Sequence, residues 1–167
     1  MPPVRSTPSK KDSLPLSPVL LCIGTDSFRI RQALDQLVKR LGGENNCERR
    51  EYDAGQSETA NALEDAAASS LFTPRRVVVL HQFEKAKVEE MEAALSYIKK
   101  PAKDCVLVLI LGSKKSPKKA LKEIMDKVPN VELKPPAPSE VRAMVVQRLK
   151  EAEVRLDADA LNLLLER

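Results

Sequence analysis

The octapeptide Gly24-Thr25-Asp26-Ser27-Phe28-Arg29-Ile30-Arg31 stands where a phosphate-cradling loop would stand, between an apolar strand-like run and a helix. Such a loop reads G-x-x-x-x-G-K-[ST], because backbone amides wrap the phosphates, the lysine neutralises their charge and the hydroxyl holds magnesium. Here Arg29 replaces the second glycine, Ile30 the lysine and Arg31 the hydroxyl, while Asp26 would set negative charge against the phosphates. Of the required residues only Gly24 is in place. The loop is degenerate, and no nucleotide, metal or other cofactor is expected in it.

The remaining reactive residues are sparse. After the apolar run Val77-Val78-Val79-Leu80 a nucleotide hydrolase would carry an acidic pair, but the chain continues His81-Gln82-Phe83-Glu84. His81 is the only histidine, and no motif supplies it with a catalytic partner in sequence, so a structural or surface role is expected. Cys22, Cys47 and Cys105 show no C-x-x-C spacing; they read as core thiols of a reducing, cytoplasmic compartment, with no metal site. Two binding features remain. Lys114 to Lys122 is rich in lysine and could mark a nucleic-acid-binding module, or a solvated turn and helix start. Leu71 and Phe72 are two large apolar groups at the edge of a turn, where they either fold back over a sheet or form an exposed tip for a partner.

The elements that must position these residues alternate between strand and helix. Val19 to Gly24 predicts a strand, and Thr25-Asp26-Ser27 can cap a helix over Phe28 to Leu41 that Gly42-Gly43 stops. Cys47 to Tyr52 predicts a charged edge strand, Ser57 to Ser70 a helix, Arg76 to His81 a strand and Lys87 to Lys100 a helix. Cys105 to Leu111 predicts a buried strand, Pro117 to Lys127 a helix opened by its proline, and Val131 to Leu133 a last short strand. Apolar strands alternating with helices predict a five-stranded parallel sheet covered on both faces. Residues 1–17, rich in Pro, Ser and Lys, read as a disordered leader, and residues 18–136 as the α/β core. After Pro135-Pro136-Ala137-Pro138 the pattern is helical only, so residues 137–167 read as the beginning of a small helical domain that continues in a longer protein. No run approaches the roughly 20 apolar residues that a membrane span requires, and no membrane role is expected.

With 167 residues, 43% apolar and 31% charged, the chain can bury one sizeable core and a small appendage. Its net charge of +4 is a modest bias toward acidic partners.

Within this pattern the run Leu20-Leu21-Cys22-Ile23-Gly24-Thr25-Asp26-Ser27-Phe28-Arg29-Ile30-Arg31-Gln32-Ala33-Leu34 resembles the opening of the delta subunit of the bacterial DNA polymerase III clamp loader. Further matching stretches are Ser70-Leu71-Phe72 with Arg75 to Val79, Val106 to Leu109 before the lysine-rich segment, Arg148 to Ala152, and Asp157 to Leu161. The resemblance implies an AAA+-like core of P-loop NTPase type with a degenerate nucleotide site, then a helical lid and a collar domain beyond Arg167. It implies a subunit that binds and opens the sliding clamp in DNA replication without hydrolysing ATP itself, within the DNA polymerase III holoenzyme. Leu71 and Phe72 fall on the pair that in this family enters a hydrophobic pocket on the clamp. The other implied partners are the ATPase and delta-prime loader subunits, with primer-template DNA near the assembled complex. An active nucleotide hydrolase is disfavoured by the loop.

Overall fold

A computed structural model describes residues 13–69, 74–113 and 117–165. Leu71, Phe72 and the lysines at 114 and 115 lie outside the described residues. The chain divides into two compact units after Leu133.

In the first unit three strands are apolar enough to be covered on both faces. All of β1 (Val19–Ile23) is buried, as are Val77–Leu80 in β3 (Arg75–His81) and most of β4 (Cys105–Leu111). The charged β2 (Cys47–Asp53) is half-buried, and β5 (Asn130–Glu132) is short. These two hold the edges of a wholly parallel sheet of order β2-β3-β4-β1-β5. The edge position expected from the charge of β2 is therefore found.

Because β1 is interior, the chain leaving it must cross the sheet to reach β2. It does so in α1 (Ser27–Arg40), whose Ile30, Ala33, Leu34, Leu37 and Val38 recur at helical spacing and are buried. They pack with Cys22, Val77, Val79, Val108 and Ile110 on one face. The other face receives α2 (Thr59–Ala67), α3 (Val88–Lys99) and α4 (Lys119–Lys127) over Leu21, Val78, Leu80, Leu107 and Leu109.

Several boundaries differ from those read in the sequence. Leu14, assigned to the leader, is buried against the face that α1 covers, and Arg40 donates to its carbonyl oxygen. One leucine at the end of a polar segment carries no periodicity from which its docking could be read. α2 begins at Thr59 because Ser57 takes a left-handed backbone (φ 62°) after a short 3₁₀ turn, Ala54–Gln56. Pro117 does not open α4; the helix starts at Lys119.

The second unit holds α5 (Pro138–Glu151) and α6 (Ala158–Leu165). The α6 start is tied by Asp157 Oδ1, which accepts from the Ala160 N–H at 2.7 Å. No residue of either helix is buried, and Leu163 and Leu164 are 66% and 53% exposed.

The three thiols are buried in the first unit. Burial pushes Cys22 from the ordinary 9.0 up to about 12 and Cys105 up to about 11, and raises Cys47 as well. For each, the folded chain holds its proton at a pH where the unfolded chain has released it. Their contribution to stability is therefore full below pH 9 and is lost as pH rises from 9.0 toward about 12. Urea unfolding across this range is expected to show declining stability in the parent and a shallower decline in Cys22→Ala. Identical slopes would show that the thiol does not titrate in this way.

Candidate functional site

In open parallel sheets ligands bind outside the carboxyl ends of the strands, where successive connections diverge to opposite faces. Here that edge is formed by the exits of β1, β2, β3 and β4, and a cavity of about 440 Å³ opens there. Its lining includes Gly24, Thr25 and Ser27 after β1, Glu51 on β2, His81, Gln82 and Glu84 after β3, and Gly112 after β4. Ile30 and Arg31 reach it from α1. The degenerate loop and the sole histidine, distant in sequence, thus share one cavity.

Gly24 is required by its surroundings. Its N–H donates to the Leu111 carbonyl oxygen at 2.9 Å, and the preceding Ile23 carbonyl oxygen accepts from Leu133 N–H at 2.7 Å. A Cβ at position 24 would stand 2.8 Å from the Leu133 carbonyl oxygen, inside van der Waals contact. The glycine retained from a phosphate-binding pattern therefore serves close packing of β1 against its neighbours.

The N-terminus of α1 is where such a fold would hold an anion, since unpaired N–H groups and the helix dipole converge there. In this chain Asp26 caps it: Oδ1 accepts from the Arg29 backbone N–H at 2.9 Å. The loop supplies its own carboxylate at that end.

The carboxylates lining the cavity are also engaged. Glu51 Oε2 lies 2.7 Å from His81 Nε2, and Glu51 Oε1 pairs with Arg49 Nε at 3.0 Å. Glu84 Oε2 accepts from the Gly112 N–H at 3.2 Å, tying the chain after β3 to the end of β4. Gln82 adopts a left-handed backbone (φ 53°), unusual for a non-glycine residue. Its side chain offsets this by donating to Asp53 Oδ2 at 2.7 Å. His81 and Gln82 therefore work as fasteners along the edge of the sheet. Among the described residues no three His, Cys, Asp or Glu side chains are grouped to hold a metal ion.

The partner of His81 was not found from sequence, because Glu51 lies 30 residues earlier. The parallel pairing of β2 with β3, which sets Asp53 opposite His81, is what brings Glu51 to it. A second set of residues also escaped the sequence reading. Arg76, at the head of an apolar strand, is buried and pairs with Asp65 of α2 at 3.0 Å. Of the lysine-rich segment, Lys118 Nζ donates to the Ala86 carbonyl oxygen at 2.8 Å, while Lys119 and Lys122 are exposed. No helix is long and apolar enough to cross a membrane.

Residues 20–134, which carry the sheet and this cavity, match the family described as DNA polymerase III, delta subunit. The chain belongs to that family. Among curated proteins no match is found. The DNA polymerase III delta fold is shared with the DNA clamp loader delta protein of Bacillus subtilis, at TM-score 0.57 and 20% identity over 89% of this chain and 48% of that one. A gamma subunit-related protein of DNA polymerase III from Thermotoga maritima gives TM-score 0.55 and 16% identity, covering 85% of this chain and 49% of that one. A RuvB variant of the same organism gives TM-score 0.62 and 13% identity, covering 89% and 48%. These neighbours bear out the AAA+-like α/β fold of P-loop NTPase type. The chain spans about half the length of each.

Two substitutions test the site's construction. Gly24→Ala forces its Cβ against the Leu133 carbonyl and is expected to cost about 1–3 kcal/mol of stability, as overpacking does. Asp26→Ala removes the cap and is expected to cost about 1 kcal/mol. Chemical denaturation measures both; parental stability in Gly24→Ala would show that β5 yields freely.

Proposed function

We propose that this chain acts as a clamp-loader delta subunit, which binds and opens the DNA sliding clamp without hydrolysing ATP itself. The observation that carries this reading is the match of residues 20–134 to the DNA polymerase III delta family. The likeness to a solved clamp loader delta protein supports it, and so does the construction of the loop. A hydrolase would need a lysine and a magnesium-binding hydroxyl where Ile30 and Arg31 stand, and an open helix end where Asp26 caps α1.

The contact with the clamp is assigned to Leu71 and Phe72, in the connection between α2 and β3. An aliphatic side chain and an aromatic ring leaving water in a pocket contribute on the order of 1.5–3 kcal/mol each, the magnitude of interface anchors. The other loader subunits are the further partners on this reading.

The deciding experiment replaces both residues with alanine. Leu71→Ala/Phe72→Ala is expected to keep the parental melting temperature while affinity for the cognate clamp falls about a thousandfold, if anchors worth about 2 kcal/mol each add. A much lower melting temperature would assign the pair to the core instead. Undiminished clamp binding would remove it from the interface. Separately, calorimetric titration with ATP or ADP at millimolar concentration is expected to give no saturable heat; saturable binding would overturn the reading of the loop as degenerate.

A further inference from the structure

The carbonyl oxygens in the last turn of a helix have no partner inside it, and those of Asp65 and Ala66 in α2 and of the following Ala68 are met by side chains from two other elements. Arg76 Nη1, from β3, donates to the Asp65 carbonyl oxygen at 2.6 Å and to the Ala68 carbonyl oxygen at 3.4 Å. Tyr97 OH, from α3, donates to the Ala66 carbonyl oxygen at 3.2 Å. The Asp65 carboxylate completes the arrangement. Its Oδ1 accepts from Arg76 Nη1 and Arg50 Nη1, both at 3.0 Å, and its Oδ2 from Tyr52 OH at 3.1 Å.

Arg76 also fixes the strand that follows. Its backbone N–H donates to the Asp104 carbonyl oxygen at 2.8 Å, and it stands in register with Glu48 on β2 and Cys105 on β4. One residue therefore belongs to both stems of the α2–β3 connection, through its backbone to the strand and through its guanidinium to the helix. The connection that leaves these stems carries Leu71 and Phe72.

The choice of arginine is informative. Its side chain is 7% exposed and that of Asp65 10%, and a buried ion pair is often no more stabilising than apolar residues of the same volume. Val77 and Val78, the next residues of the strand, show that apolar groups are accommodated there. What valine or methionine cannot supply is a donor nitrogen such as Nη1, which reaches two carbonyl oxygens at the end of α2.

We propose that Arg76, assisted by Tyr97, is a positioning residue for clamp binding, locking the end of α2 to β3 so that the Leu71–Phe72 segment leaves a rigid stem. This inference rests on the clamp-binding reading of that pair. Preorganisation of this kind acts on affinity by removing the entropic cost of ordering the stem during binding.

The test uses the full chain and its cognate sliding clamp. In Arg76→Met, which keeps the side-chain volume and removes the donors, affinity is expected to fall about tenfold. Calorimetry is expected to place this loss in a less favourable binding entropy. Amide exchange at Ala67 to Ser69 is expected to quicken while Val106 to Leu111 stay protected. Arg76→Lys, which retains a cationic donor, is expected to recover most of the affinity. Should Arg76→Met fail to fold, Tyr97→Phe decides, with an expected loss of about threefold.

Parental affinity in folded Arg76→Met and in Tyr97→Phe would overturn the inference. So would a loss that follows the melting temperature alone, with lysine no better than methionine. If binding survives these changes yet is lost in Leu71→Ala/Phe72→Ala, the tether fails and the clamp reading stands. Survival of binding in the Leu71→Ala/Phe72→Ala chain removes that pair from the interface, and the tether with it, while clamp binding by the chain stands.

Discussion

The position of β1, enclosed by β4 and β5 at its edges and by packed side chains on both faces, is the constraint on which the rest of the first unit depends. A strand in that place must satisfy every backbone group in the sheet and expose no side chain. It can then be followed only by a segment that clears the neighbouring strands. Gly24 provides the clearance, and α1 provides the crossing to β2. That crossing leaves α2, α3 and α4 to the opposite face, and the divergence opens the cavity at the carboxyl ends of the strands.

Polar groups are distributed around this frame with a consistent logic. At the cavity, Glu51, Glu84, Asp53 and Gln82 join neighbouring strand exits to one another. At the opposite ends of the strands, Arg76 and Asp65 join α2 to the sheet, and Tyr97 joins α3 to α2. The cavity lies where such folds place ligands, and its Glu51, His81, Gln82 and Glu84 side chains tie strand exits together. Near Arg76 the hydrogen bonds are many, and they join secondary-structure elements.

Much of the fold could be read from the sequence because its strands are unambiguous. Val77 to Leu80 and Val106 to Leu111 are apolar without alternation, which only a strand covered on both faces explains at that length. The charge of Cys47 to Tyr52 likewise marked an edge. The failure of the phosphate-loop pattern was legible residue by residue, and so was the capping role open to Asp26. What escaped depends on contacts distant in the chain. Leu14 docks 26 residues away from Arg40, and Asp65 meets Arg76 only because α2 packs beside β3. The left-handed backbone of Ser57, which delays α2, has no signature in residue type, since glycine is the usual occupant.

The carboxylate of Asp26 has a further meaning for any anion approaching α1. A side chain covalently tethered beside a binding position acts as an intramolecular competitor, and short tethers give effective concentrations in the millimolar range or above. A free phosphate seeking the Arg29 N–H would meet a resident carboxylate of like charge and would have to displace it while uncapping the helix. Competition of this kind needs no steric block. The same aspartate that starts the helix thus competes for an N–H that an anion at this position in the fold would use.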